Sequence, residues 1–381
     1  RSPEYQAGVA TIAVNAMVSK LAAVQKAYIL GTRITDARSV KVLSEFNNDK
    51  TSGAVAKLNA NGGTKTVGVL DIRANIAVAI ADSQSYAFVA GSALGAGSLE
   101  VKSDASSIAS AKVETASFSG SYASVGMNAL FAYANGSYGA YVATAGAEMS
   151  PGGVTVNSNS TAKAEADTAQ GVLSASFDYY SAKMNLAVAV TGMRAESAVL
   201  GDLTVLTARG LLTSEDLAAS GVSGAGGRLT TVGDVSVNAD GVATAAASVA
   251  LVNFSVGAVN VDTNVLISKL TAAQRAYLSG ASITGRNVSV KSTLNDGTVP
   301  AAKATLSGNR VSVTLVGAKA HTVTAIANAS NTSGVEDSAI ALTGVLEVFA
   351  KGSTWALATV DQGANAGVAT VGLIVAYAEV G

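Results

Sequence analysis

The sequence predicts an all-β protein, a parallel β-solenoid (β-helix) of wide coils with almost no helix, and three observations predict it. A motif recurs along the chain at a period of roughly 50 to 60 residues, the spacing of an array rather than of a single-site globule. Within each copy, apolar and small residues alternate with a period of two, as in strands that bury one face. Aromatic residues are only 5% of the chain while glycines number 39, so small side chains between closely opposed sheets must fill the interior.

The template of the repeat is Asn264 to Val290, NVLISKLTAAQRAYLSGASITGRNVSV, with landmarks at Asn264, Tyr277, Gly280, Val288 and Val290. Asn15 leads to Tyr28 at the same spacing, then to Gly31, Val40 and Val42. Asn128 leads to Tyr141, Gly146, Val154 and Val156. Asn75 leads to Tyr86 two residues sooner, then to Gly91, Leu99 and Val101. Asn185 leads to Ala198, where the tyrosine is lost, and a compressed segment brings Leu203 and Val205 to the place of the valine pair. Two further pairs, Val235/Val237 and Leu346/Val348, lack a clean Asn and Tyr.

In chain order, a polar arm, RSPEYQAG, precedes VATIAVNAMV, whose branched and small residues alternate as in a strand. LAAVQKAYIL has good helix formers, but its counterparts SQSYAFVAG and GSYGAYVATAG carry Gly and β-formers, so all of them read as strand. Glycine-rich corners follow, then short strands SVKV, SLEV, GVTV and NVSV with Val or Leu two apart on one side. Polar stretches such as SEFNNDKTSG and STLNDGTVP read as a strand leaving the core and a turn. A last strand returns through segments such as TVGVLDIRANIAVAIAD and FDYYSAKMNLAVAV. Few two-residue hairpin turns join these segments, which favours parallel stacking of each strand on its equivalents above and below. Residues 206–233 break the period. Thr213 and Asp216 make a capping-box pattern for one short helical turn, and the glycines after it predict a protruding loop rather than a domain boundary. The reading is therefore a single repeat-built domain over residues 1–381.

The order of elements is similar to the repeats of very large secreted bacterial filamentous adhesins of the leukotoxin-like type. The segments that carry the likeness are the template, NAMVSKLAAVQKAYILGTRITDARSVKV and MNALFAYANGSYGAYVATAGAEMSPGGVTV. The resemblance implies a β-solenoid stalk, surface-anchored or shed, that serves in adhesion or as a fibre. The chain departs from the pattern at Ala198, at His321 where an Asn is expected, and after Val205.

Charge is nearly balanced, 25 basic against 26 acidic residues, which gives no electrostatic case for nucleic acid or an anionic membrane. There is no cysteine, so neither disulfides nor thiolate metal sites form. No apolar run is long enough to span a bilayer as a helix. The chain starts at Arg1 and reads as a mature product or a piece of something longer. His321 is the one histidine, so no His pair or triad exists and a solvent-facing or ladder-end role is expected. Carboxylates are dispersed singly, as at Asp71, Asp104, Glu114, Glu196 and Asp234, without the pairing that glycan cleavage needs. NND at Asn47 to Asp49 and NDG at Asn295 to Gly297 are expected to be turns rather than chelators. No catalytic, metal or cofactor site follows, and the protein is read as a non-enzyme.

The repeated Asn15, Asn75, Asn128, Asn185 and Asn264 are expected to stack at a corner and satisfy backbone groups there. Sequons at Asn135, Asn159, Asn253, Asn287, Asn328 and Asn331 would mark outward faces if the source glycosylates exported proteins. Gly8 to Thr11 match Gly367 to Thr370, so the sequence returns to its opening strand type, and neither end carries a polar cap. The expected function is a stalk or filament segment outside the cell, joined end to end to copies of itself or to adjoining repeats. The alternative is a carbohydrate- or receptor-binding module displayed on the same scaffold, with surface glycans as partners.

Overall fold

In the computed structural model the described residues are 5–381, except 52, 169–172, 223, 225, 251, 296, 309 and 362–364. Side chains are described for these residues apart from 5–7, 60–66, 115–118, 173–174, 252–253, 310–311 and 365–367.

The chain makes the same journey repeatedly. The first pass is β1 (Tyr5–Leu30), β2 (Arg33–Ala37), β3 (Val40–Phe46) and the start of β4 (Ala54–Ala90). The second takes the rest of β4, β5 (Ala93–Ala96) and the first part of β6 (Leu99–Ala143). The third takes the rest of β6, β7 (Glu148–Pro151) and β8 (Val154–Thr168). The fourth runs through β9 (Leu173–Phe177), β10 (Tyr180–Leu200), helices α1 (Thr204–Ala208) and α2 (Ser214–Ser220), β11 (Arg228–Thr230) and β12 (Val235–Ala250). The fifth is β13 (Val252–Ser279), β14 (Ser282–Gly285), β15 (Val288–Leu294) and β16 (Ala302–Ser307). The sixth is β17 (Arg310–Glu336), β18 (Ala339–Leu342), β19 (Leu346–Gly352) and β20 (Ala356–Val360), and β21 (Asn365–Val380) opens a seventh.

Among the described residues every strand pairing is parallel and joins equivalent strands of successive passes. The short second strands form their own six-stranded sheet, β18-β14-β11-β7-β5-β2, and the rest form a 15-stranded sheet. Because β9 and β10 follow one another in one pass and both lie between β6 and β13, the pairings β6–β9–β13–β10 close into a four-strand parallel circuit. The described chain is thus nearly all strand with two short helices, both in the segment that breaks the period.

Register shows why the repeat is stable. Val40, Leu99, Val154, Val235, Val288 and Leu346 lie in one column, and Val42, Val101, Val156, Val237, Val290 and Val348 in another. All are buried except Leu346 and Val348 in the outermost layer, each 45% exposed. The valine pair of the fourth pass is therefore Val235/Val237. Leu203 caps α1 and Val205 lies inside it, so the assignment of Leu203/Val205 to a strand is corrected. The valine pairs meet Ile34, Leu94, Met149, Leu229, Ile283 and Ile340 of the small sheet, an aliphatic core with one hydrophobic row per strand.

A second core lies between the long outgoing strands and the returning ones and is mostly alanine: Ala77, Ala79 and Ala81 against Ala109 and Ala111, and Ala187 and Ala189 against Ala245 and Ala247. Methyl-sized side chains let the two sheets approach closely, so the interior fills with few aromatics. At the corner, Gly31, Gly91 and Gly280 have φ of 60°, 54° and 60°, the left-handed conformation that glycine adopts without steric cost. The third pass departs. Thr144 continues the strand register, and the left-handed residues are Ala145 and Gly146, so Gly146 sits in a longer corner than its counterparts.

Candidate functional site

The recurring asparagines form a single column across six passes, Asn15–Asn75–Asn128–Asn185–Asn264–His321. Each amide Nδ2 donates to the Oδ1 of the next residue, at 3.0, 2.9, 2.8 and 2.7 Å from Asn15 to Asn264. The last step is Asn264 Nδ2 to His321 Nδ1 at 2.8 Å, where the amide donates and the ring nitrogen accepts. The column lies within strands rather than at a corner, and its bonds run from side chain to side chain rather than to backbone, which corrects the sequence expectation on both counts. Burial increases along it: Asn15 is exposed, Asn185 is 5% exposed and Asn264 fully buried. His321 is the ladder's end and is buried at 2% exposure, not solvent-facing.

Thirteen residues beyond the ladder lies a second column, Tyr28–Phe88–Tyr141–Ala198–Tyr277–Gly334. The aromatic of the second pass is therefore Phe88. Tyr86 belongs to a neighbouring column with Lys26, Gly139 and Glu196, and its hydroxyl lies 2.6 Å from Ser137 Oγ.

Where Ala198 leaves the aromatic column short, the irregular segment fills the space. Leu203, Leu206, Leu211 and Leu212 are buried with Phe88, Tyr141, Ala198 and Tyr277, and Leu217 and Val222 pack on them. The segment is thus a lid on the aromatic face, not a protruding loop. Helix α2 begins with the expected capping box between Thr213 and Asp216 and ends at Gly221 with φ 64°. The lid is held by Glu196, which accepts from the Tyr141 hydroxyl at 3.0 Å and pairs with Arg209 of the lid and with Arg194. Lys26 Nζ donates to the Gly210 carbonyl at 3.3 Å. Burial pushes the Tyr141 hydroxyl well above its ordinary pKa, with the Glu196 charge adding to the effect and Arg209 opposing it. Burial is also the main reason that Tyr277 is pushed up to about 12. Sequence reasoning missed this anchor. The available signal was the run of leucines, Leu206, Leu211, Leu212 and Leu217, spaced through the segment.

The sequons divide. Asn135 and Asn328 are exposed, Asn159 and Asn287 are half-buried, and the side chain of Asn253 lies outside the described residues. Asn331 turns inward, its amide donating to the carbonyls of Ser292 and Lys351 at 3.1 and 2.7 Å, so that sequon does not mark an outward face. Asn47 to Asp49 form a turn in which Thr51 bonds to Asn47 and Asp49, as expected of the NND segment.

A polar groove of about 220 Å³ is lined by Asn48, Lys50, Asp104, Asn159 and Asp240. Its two carboxylates are separated by the Asn159 layer, and Asp104 is engaged by Lys102 at 2.8 Å. Among the described residues no three His, Cys, Asp or Glu side chains are placed to hold a metal ion. No helix is long and apolar enough to cross a membrane.

Two kinds of surface are left open. On the outer part of the long strands, Tyr122 stacks on Tyr179 with ring centroids 5.2 Å apart, Tyr180 meets both edge-on, and Phe177 lies 6.0 Å from Phe254. At the two ends of the pairing order, β1 is bonded to β4 alone and β21 to β17 alone. Val9, Ile12, Val14 and Val18 of β1 are exposed, as are Val368, Val371, Leu373 and Ile374 of β21. Comparison of the chain with protein-family models, curated proteins and solved structures gives no match.

Proposed function

We propose that the chain is a non-catalytic segment of an extracellular filament or adhesin stalk. In this reading residues 1–381 form one continuous β-solenoid domain with coils of roughly 50–60 residues, similar to the repeats of giant secreted bacterial adhesins. It joins further copies, or further repeats of its own chain, end to end. One observation carries the reading: equivalent strands of six successive passes stack in one continuous parallel register, so that the backbone edge of each layer is the template for the next. Such edges template pairing with another strand, and a head-to-tail contact of this kind propagates instead of closing.

The experiment is sedimentation velocity with negative-stain imaging of the purified chain over a concentration series. The expected result is concentration-dependent rods with an axial repeat of about 30 Å, six or seven layers at the spacing of paired strands. A chain that stays monomeric at millimolar concentration overturns the end-to-end reading.

The second reading, a glycan- or receptor-binding module, draws on the exposed Tyr122, Tyr179 and Tyr180 rings, since flat aromatic faces suit sugar rings and partner anchors alike. Glycan-array binding that is lost in Tyr179→Ala and retained in Tyr28→Ala would favour it.

A further inference from the structure

At the junction of one pass with the next the polarity of the molecule is inverted. Residues 67–72, 119–125, 175–182, 254–261 and 312–318 lie there layer on layer in one register. Their buried side chains are polar. Asp178 accepts from Ser119 Oγ at 2.9 Å, from the Ser121 N–H at 2.8 Å and from Ser124 Oγ at 2.6 Å. The Asn260 amide donates to Ser255 and Ser312 Oγ at 2.9 and 3.2 Å. Their exposed side chains are apolar. Val67, Phe177, Val256 and Val313 make one row, Val69, Tyr122, Tyr179, Ala258 and Leu315 the next, and Tyr180 and Val316 flank it. Apart from the half-buried Ala258, these residues are 37 to 61% exposed. Each of these layers is paired on both sides, so the exposure belongs to the flank of the stack and not to a missing neighbour.

The size of this ridge sets it apart from scattered surface residues. At about 150–200 Å² for each such side chain in full, the exposed fractions amount to on the order of 800 Å². The largest apolar patch of an ordinary monomer is about 300–600 Å², whereas one partner's share of a standard protein interface is about 800 Å². The charged residues in these five segments are Asp71 and Asp178, both buried. The ridge therefore offers nothing to a charged partner, and its aromatic and aliphatic composition is that of an interface core.

We propose that the ridge is a lateral docking face for the same ridge of a second copy, so that two stacks lie side by side. The fit is self-complementary by construction. Rows that repeat at the spacing of paired strands, about 4.8 Å, meet rows of the same spacing, and the knobs of one stack, such as Leu315 and Tyr122, can fall in step with the gaps of the other at Ala258 and Gly120. A two-fold contact of this kind closes at the pair, so it thickens an assembly without lengthening it and stands independently of the end-to-end reading. A sugar would engage Tyr122, Tyr179 and Tyr180 alone, whereas the ridge continues through Val256, Val313 and Leu315 in layers that lack a tyrosine there.

The test compares the full chain with Tyr179→Lys, Leu315→Lys and, as a control away from the ridge, Val232→Lys, which alters a residue 86% exposed. Circular dichroism establishes that each is folded, and Leu315→Lys serves if Tyr179→Lys is not. Sedimentation velocity and negative-stain imaging read the mass and width of the particles. The parent and Val232→Lys are expected to form pairs, or rods two molecules wide. A two-fold contact brings each new charge in twice, so either ridge variant should raise the concentration needed for pairing about tenfold or more and leave particles one molecule wide. Loss of length with the double width retained would strike the end-to-end reading and leave the lateral pair standing. A parent that is one molecule wide at every concentration overturns the proposal. So does a parent that floats with phosphatidylcholine vesicles while Tyr179→Lys does not, since the ridge would then face lipid.

Discussion

Asn264 donates its amide hydrogen to the ring of His321 at 2.8 Å, in a part of the stack where the asparagine is fully buried and the histidine 2% exposed. Asn264 also accepts from Asn185 at 2.7 Å, so one side chain satisfies buried groups above and below it.

Replacing it removes the acceptor of the Asn185 amide and the donor to His321 Nδ1. An unsatisfied buried polar group costs about 1–3 kcal/mol, so Asn264→Ala should destabilise by about 2–4 kcal/mol. Asn15→Ala, at the exposed foot of the ladder, should cost no more than about 0.5 kcal/mol. His321→Asn extends the ladder with its own residue type and should leave stability within about 1 kcal/mol of the parent. Urea unfolding of the three variants checks the gradient. Equal losses at Asn15 and Asn264 would mean that the ladder is not the source of the effect.

The valine columns give a second contrast. Val288 is 1% exposed between Val235 and Leu346, and Val288→Asp would bury an unpaired carboxylate at a cost of about 4 kcal/mol or more. Arg286, two residues away, makes an exposed two-pronged pair with Asp234, with both contacts at 2.9 Å. That pair and the Asn287 amide hold the Asp234 carboxyl down at about 2. A lowered carboxyl pKa supports stability above the ordinary carboxylate range and loses that support as pH falls towards 2. At neutral pH Arg286→Asp should lower the melting temperature only slightly, and less in high salt. Comparable melts for the two variants would show that the valine column is not the buried one.

The columns were legible in sequence because a parallel stack places like residues on like, so the Asn and Val landmarks gave the register in nearly every pass. Phe88 escaped because the template asked for a tyrosine where the fold asks for an aromatic ring. Tyr86, two residues earlier on the same face of the strand, drew the alignment away. Leu203 and Val205 mimicked a valine pair, but a spacing of two does not distinguish a strand from the start of a short helix. The lid was missed because its glycines read as a loop. What docks it is a deletion elsewhere, the tyrosine absent at Ala198, and a vacancy in one pass is visible only when the passes are stacked.

The lid follows from that vacancy. Leu206 is fully buried in the aromatic cluster, and residues 204–220 should resist limited proteolysis in the parent protein. Leu206→Asp, or Ala198→Tyr to complete the aromatic column, should expel the segment and admit cleavage between Arg209 and Leu217 while strand content by circular dichroism is kept. Rapid cleavage of the parent protein at the same sites would return the segment to the status of a free loop.

Alkaline pH should loosen the face that the lid covers. Burial raises the hydroxyl pKa of Tyr141, and that of Tyr277 to about 12, from an ordinary value of 10.0. The folded state therefore keeps protons on these rings at a pH where the unfolded chain has released them. Fewer protons on the unfolded chain make stability fall as pH rises. The contribution is whole below pH 10 and is lost progressively towards pH 12. Melting temperature measured from pH 9 to 12 should decline across that window, together with a rise in tyrosinate absorbance that tracks unfolding. Lysines titrate in the same range, so the informative comparison is Tyr277→Phe, which keeps the ring in its column and removes the proton. Its melting temperature should fall less steeply with pH than that of the parent. An identical slope in the two proteins would mean that the Tyr277 hydroxyl is not protected by the fold.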